Sequence, residues 1–260
     1  MTIQTDNSQP VRSIDVFYTH DGKANETASD HDDVINRFWR HSAPNRRGDV
    51  WKAKLPLRSV DKPLWVYANV RYELNEPVSG AGYYYRIYLA SQFNVSSLLQ
   101  KVTPEQLKSA GAKSSSDRLL MIEPFNQGWQ KEWFSYTPDT WPRATHKVGD
   151  DQWRAPDQAS LALQVRCSEP NQLVVMIDGF AAVVDLQQPG QWQDIVLNAS
   201  DFRNLIDESI PGFDNIRELK LSDAERLNPA RGDTTKSRMV GKAWRGSDPE
   251  FQNLRWVTTQ

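Results

Sequence analysis

A single cysteine, Cys167, stands in 260 residues, so the chain can form no internal disulfide and no thiolate metal cluster. Cys167 lies in phase with Leu161, Leu163 and Val165, which reads as a core position rather than a nucleophile. The four histidines, His20, His31, His41 and His146, are scattered, and no two have the spacing of a helical metal pair. No Gly-x-Ser-x-Gly elbow occurs, and the alternating strand–helix pattern that would carry one is missing. Long apolar runs are also missing and mean hydropathy is −0.66, so no membrane span is expected. Charge of one sign is not in excess either. The parts before and after Leu119 hold 16 basic against 13 acidic residues and 15 against 20, which make up the 31 and 33 of the whole chain. Neither part has the basic surplus of a nucleic-acid binder.

What the chain has is strand pattern. Ile14, Val16 and Tyr18 alternate with polar residues, as do Trp51, Ala53, Leu55 and Leu57. Val66, Ala68, Val70 and Tyr72 share one face of a strand over 64–74. A turn at Gly80-Ala81-Gly82 pairs that strand with 83–89, and the Arg46-Arg47-Gly48 corner joins 37–41 to the Trp51 strand. Asp178-Gly179 between two apolar runs predicts a type I′ hairpin, because both central residues then need positive φ. Further strands are expected at 161–167, 192–197, 217–221 and 251–257.

Helix signals occur once. Thr103 is placed to cap Pro104, Gln106 completes a capping box, and Gly111 ends the helix. Three serines follow at 114–116. The chain therefore reads as all-β, two β-sandwiches joined by a short helix and linker. Residues 1–11 read as a disordered N-terminus, 12–100 as an immunoglobulin or fibronectin III-like sandwich, 101–117 as the connector, and 118–260 as a jelly roll.

Seven of the ten tryptophans lie in the second half. Trp129, Trp133, Phe134, Tyr136, Trp141 and Trp153 crowd a stretch too irregular to bury all of them in one inward row. Flat aromatic faces beside polar groups suit sugar rings, which makes Trp133, Trp141, Tyr136, Trp153 and Arg143 the candidate ligand-binding residues. By contrast Trp192 and Trp256 are assigned to the core or its rim. No catalytic residue and no cofactor are expected. The acidic loop Asp30-His31-Asp32-Asp33 offers oxygens to a structural calcium through Asp30, Asp32 and Asp33. It lacks the glycine and bidentate glutamate of a calcium loop, so a solvated loop is the favoured reading.

Three segments carry a resemblance: Lys62-Pro63-Leu64-Trp65-Val66-Tyr67-Ala68-Asn69-Val70, Val102-Thr103-Pro104-Glu105-Gln106-Leu107, and Pro249-Glu250-Phe251-Gln252-Asn253-Leu254-Arg255-Trp256-Val257. The chain resembles the non-catalytic region downstream of the catalytic domain in secreted bacterial hydrolases of the dienelactone-hydrolase-like or PhoPQ-activated-pathogenicity-related type. The catalytic serine, acid and histidine of that group have no matching positions. The second half separately resembles the galactose-binding-like jelly roll of carbohydrate-binding modules. The matching order is Glu123, Phe125 and Trp129, then the Leu161 and Leu173 strands, Trp192, Asp201-Phe202, and Leu254-Arg255-Trp256.

These resemblances imply an accessory module that binds a polysaccharide or targets a hydrolase to it. The alternative is a structural region packed on a hydrolase catalytic domain, and an independent carboxylate-pair hydrolase is the remote third reading. Neither nucleic acid nor membrane is an expected partner. The polar Met1–Pro10 lacks a secretory leader and places the chain as written in the cytoplasm; as the tail of a larger hydrolase it would be secreted or periplasmic.

Overall fold

The structure, a computed structural model, describes residues 1–6, 9–21, 37–81, 87–115, 117–135, 140–229 and 235–258. The chain is all-β and divides into two compact units, 1–116 and 117–260. Asp30, Asp32 and Asp33 lie outside the described residues, as does Tyr136.

In the first unit the strands are β1 (Thr2–Ile3), β2 (Val11–Thr19), β3 (Arg40–Ser42), β4 (Asn45–Arg47), β5 (Val50–Lys52), β6 (Leu64–Ala81), β7 (Ile87–Ser96) and β8 (Gln100–Val102). They form one antiparallel sheet in the order β1-β5-β4 and a second in the order β3-β2-β6-β7, with β8 also on β6. The alternation seen in sequence is the packing pattern. Ile14, Val16 and Tyr18 pair with Val70, Ala68 and Val66 across β2 and β6, and all six are buried in one core with Ile3, Ala53, Leu57 and Leu107. Burying an aliphatic side chain of this size stabilises by about 1.5–3 kcal/mol.

Several boundaries differ from those read in the sequence. The first residues are part of the fold: Thr2 and Ile3 pair with Lys52 and Trp51, and the terminal ammonium donates to the Ala53 carbonyl at 2.9 Å. One apolar side chain, Ile3, anchors it. The segment 101–117 is no free connector, because β8 pairs with β6, Leu107 is buried in the core, and Ser115 N–H donates to the Leu57 carbonyl at 2.9 Å. The capping box itself is present: Gln106 N–H donates to Thr103 Oγ1 and Thr103 N–H to Gln106 Oε1, opening α1 (Pro104–Ser109). The β6 strand runs on to Ala81, so that its core-lining part, Asn69–Glu73, pairs with Gln92–Ser96 rather than with 83–89. The Gly48 corner joins β4 to β5, while Arg40–Ser42 pairs instead with β2.

The second unit contains β9 (Met121–Glu123), β10 (Arg143–Thr145), β11 (Ala159–Arg166), β12 (Asn171–Ile177), β13 (Phe180–Leu186), β14 (Gln193–Leu197), β15 (Leu219–Ser222), β16 (Ala224–Leu227), β17 (Arg238–Gly241) and β18 (Glu250–Thr258). Two four-stranded antiparallel sheets, β10-β15-β12-β13 and β14-β11-β18-β9, supply Leu173, Val175, Ile177, Leu219 and Leu221 from one side and Leu161, Leu163, Val165, Leu254 and Trp256 from the other. The β16–β17 hairpin covers Val174 on the outer face of β12, which is why that strand reads as a continuous apolar run instead of alternating. At Gly241, with φ +76°, a Cβ would sit 2.1 Å from the Asp223 carbonyl oxygen, so the hairpin closes on β12 only with glycine there. Asp178 and Gly179 have φ of 47° and 88°, as a type I′ turn requires, and the Asp178 carboxylate accepts the N–H groups of Arg217 and Glu218 at 2.9 Å.

Candidate functional site

At one end of the second unit, the exit of β9 and the entries of β10, β14 and β18 come together around an open cleft of about 780 Å³. Its aromatic walls are Phe125, Trp129, Trp141, Trp192 and Phe251. Phe125, Trp129, Phe251 and Trp141 are linked ring to ring, Phe125 and Trp129 edge to face and the others tilted. The Phe125 ring lies 5.0 Å from Trp129 and 5.4 Å from Phe251, and Trp141 lies 5.9 Å from Phe251 and 5.0 Å from Trp244.

Local backbone geometry places these rings. Phe125 has φ 61°, a left-handed conformation that costs a non-glycine residue roughly 1–2 kcal/mol, and it is held there by its N–H donating to Glu123 Oε1 at 3.1 Å. Gly128, with φ 85°, then opens a single 3₁₀ turn over Trp129–Glu132 that turns Trp129 to the cleft. Asn253, with φ 55°, sits at the irregularity in β18 and donates to Gln164 Oε1 at 2.9 Å. Trp192 precedes β14, and the Arg166 guanidinium stacks over its ring at 4.9 Å.

The polar lining is mostly neutral: Asn126, Gln130, Thr140, Gln252 and Asn253. Arg143 and Asp248 add one charge of each sign. Glu250 is engaged by Arg166 through a two-pronged ion pair. A second cleft of about 410 Å³ adjoins the first and shares Thr140, Trp141 and Asp248 with it, so Trp141 is the ridge between them. Its far wall holds Trp244, whose backbone N–H donates to Asp223 Oδ2 at 2.9 Å and whose indole N–H donates to the Ser247 carbonyl, and the Lys220–Glu225 ion pair.

The sequence-read candidates separate into two groups. Trp141 and Arg143 line the cleft, both half-buried. Trp133 and Trp153 do not belong to its surface: they are 5% and 7% exposed. Trp133 closes the 3₁₀ turn with its ring directed inward beneath Trp129, 5.4 Å away, and its indole N–H donates to Glu123 at 3.3 Å. Trp153 lies under the Lys147 ammonium, 4.6 Å from its ring, and its carbonyl accepts from Trp256. Density of aromatics along the chain therefore does not say which rings face outward. Trp192 is the opposite case, a rim residue that forms part of the cleft wall. Its place directly after the Gly190 turn, outside the paired strand, is the signal that separates it from Trp256.

Cys167 is 2% exposed, and burial pushes its thiol pKa up. In the native protein a disulfide reagent at pH 7.5 is expected to leave Cys167 unmodified over minutes and to react stoichiometrically once denaturant is added; rapid native reaction would show the thiol reaching solvent. Among the described residues no three His, Cys, Asp or Glu side chains converge to hold a metal ion, and no helix is long and apolar enough to cross a membrane. Comparison with protein families, with curated proteins and with solved structures finds no match to this chain.

Proposed function

We propose that the second unit is a non-catalytic carbohydrate-binding module that holds a polysaccharide chain in the Trp129–Trp141–Trp192 cleft and targets a hydrolase to it. The supporting observation is the composition of the cleft: aromatic rings, four of the five half-buried, set among neutral amides and a hydroxyl. Sugar rings need both partners at once. Their C–H faces lie on aromatic rings, while their hydroxyls exchange hydrogen bonds with water for hydrogen bonds with side chains. A hydrolase domain packing against this surface would favour an apolar patch, whereas the charged and amide groups interrupt the aromatic walls. The adjoining second cleft extends the same surface past Trp141, which suits a chain of rings better than a single one.

The test is affinity electrophoresis on gels containing plant and algal polysaccharides. The intact chain is expected to be retarded by at least one of them. Trp141→Ala is expected to weaken that binding about five- to tenfold, the loss of roughly 1 kcal/mol from one stacking face, with thermal stability changed by only a few degrees. Absence of retardation on the whole panel would turn the assignment to a structural region that packs on a catalytic domain.

A further inference from the structure

In the first unit β7 is an edge strand: β6 pairs with one side of it, and among the described residues no strand pairs with the other. Sheet edges present unpaired N–H and C=O groups, and proteins that stay monomeric shorten them or place charges and proline on them. The other edges here follow that rule. β3 is three residues long and contains Arg40, β4 contains Arg46 and Arg47, β13 contains Asp185, β14 contains Asp194, and β1 has two residues. β7 does not. Its ten residues, Ile87–Ser96, include no charged residue and no proline. It also carries exposed apolar side chains on one parity: Leu89 at 79%, Phe93 at 37% and Val95 at 47%.

We propose that β7 pairs antiparallel with β7 of a second copy of this chain, around a two-fold axis at Ser91. The Ser97 N–H donates to the Ala68 carbonyl, so Phe93 and Val95 turn their amides toward β6 and Gln92 and Asn94 turn theirs outward; the irregularity between Glu73 and Val78 takes its extra residues on β6, and β7 runs on extended, which carries the same alternation to Ala90. An axis at Ser91 then sets Ala90 against the copy's Gln92 as a hydrogen-bonded pair. The same register places Leu89 opposite the copy's Phe93, twice by symmetry, joining the exposed apolar residues of both strands on one face. An uncharged edge has nothing to offer a charged partner strand and repels nothing in its own copy. Self-pairing also closes both edges at once, which leaves no template for further addition.

One strand edge is a small interface, so the expected species is a dimer at about 100 μM that dissociates on dilution. Sedimentation equilibrium of the full chain should show a mass rising toward twice that of the chain. Ser91→Lys puts two ammonium groups across the axis and is expected to leave a monomer with unchanged melting temperature, since Ser91 is exposed. Ser91→Cys faces its own copy in a non-hydrogen-bonded pair, about 4.5–5.5 Å between Cα atoms, and is expected to form a disulfide-linked dimer under mild oxidation. Leu98→Cys, which is 82% exposed but lies beyond the strand, is expected to form none, and buried Cys167 does not compete. A monomer at every concentration, a dimer indifferent to Ser91→Lys, or a dimer that Ser91→Cys fails to lock would each overturn the proposal.

Discussion

Replacing Lys147 by alanine is expected to cost the second unit about 3–5 kcal/mol, a fall in melting temperature on the order of 10 °C. Lys147 is 5% exposed, and its ammonium lies 3.1 Å from Glu123 Oε2 and 2.7 Å from Glu132 Oε2, over the Trp153 ring. Glu123 is equally buried and also receives the Trp133 indole N–H and the Phe125 backbone N–H. Removing the cation leaves two carboxylates facing each other, at least one of them without access to water, and that desolvated charge is the source of the cost rather than the lost attraction. The double variant Lys147→Met with Glu123→Gln removes the stranded buried charge, and Glu132, at 20% side-chain exposure, can turn to solvent. It is expected to recover about half of the loss. Because Glu123 fixes Phe125 and Trp133, the single variant should also weaken polysaccharide retardation. A thermal shift below about 3 °C for Lys147→Ala would mean that the cluster is hydrated in solution.

Where one face of a strand is buried and the other is wet, sequence alone is enough to place it. Ile14, Val16 and Tyr18 alternate with polar residues because only one side of β2 meets the core. The Asp178-Gly179 turn is equally legible, since its backbone demands leave few residue choices. Legibility fails where the cause is tertiary. Val174 sits among Leu173, Val175 and Ile177 with no parity to mark which face meets which partner, because the β16–β17 hairpin buries the second face. The extent of β6 beyond residue 74 is hidden for a related reason: Asn75, Glu76 and Pro77 look like loop residues, yet they stand on a ribbon exposed to water.

The candidate site shows the same limit at finer scale. Aromatic density marked the 129–153 region, and Trp141 and Arg143 do line the cleft. What decided between Trp129 and Trp133 is a 3₁₀ turn only four residues long, which reverses the direction of the second ring. No periodicity is long enough to announce such a turn. Phe125 and Phe251 come from segments some 126 positions apart, and only the pairing of β18 with β9, Leu254 against Glu123, brings them together.

The hydrogen bond beneath that pairing leads to the second large effect. Trp256 is 1% exposed, stands opposite Leu161 on β11, and touches the Phe213 ring at 5.1 Å. Its indole N–H donates to the Trp153 carbonyl at 2.7 Å, and its backbone N–H to the Leu120 carbonyl at 2.9 Å, so one residue fastens β18 to the irregular segments at Leu120 and Trp153. Trp256→Ala is expected to cost about 3–5 kcal/mol, combining the lost transfer energy with a cavity that neighbouring strands cannot close. Trp256→Phe keeps most of the apolar volume but orphans the Trp153 carbonyl, and is expected to cost about 1–3 kcal/mol. Trp192→Ala provides the contrast: this half-buried cleft-wall ring should cost under 2 kcal/mol while weakening polysaccharide retardation. Denaturant midpoints followed by far-ultraviolet circular dichroism give all three, provided the slope stays that of the native chain. If Trp256→Phe proves as damaging as Trp256→Ala, the carbonyl bond and not the ring volume holds β18 in place; if Trp192→Ala matches Trp256→Ala, Trp192 belongs to the core and the cleft loses its outer wall.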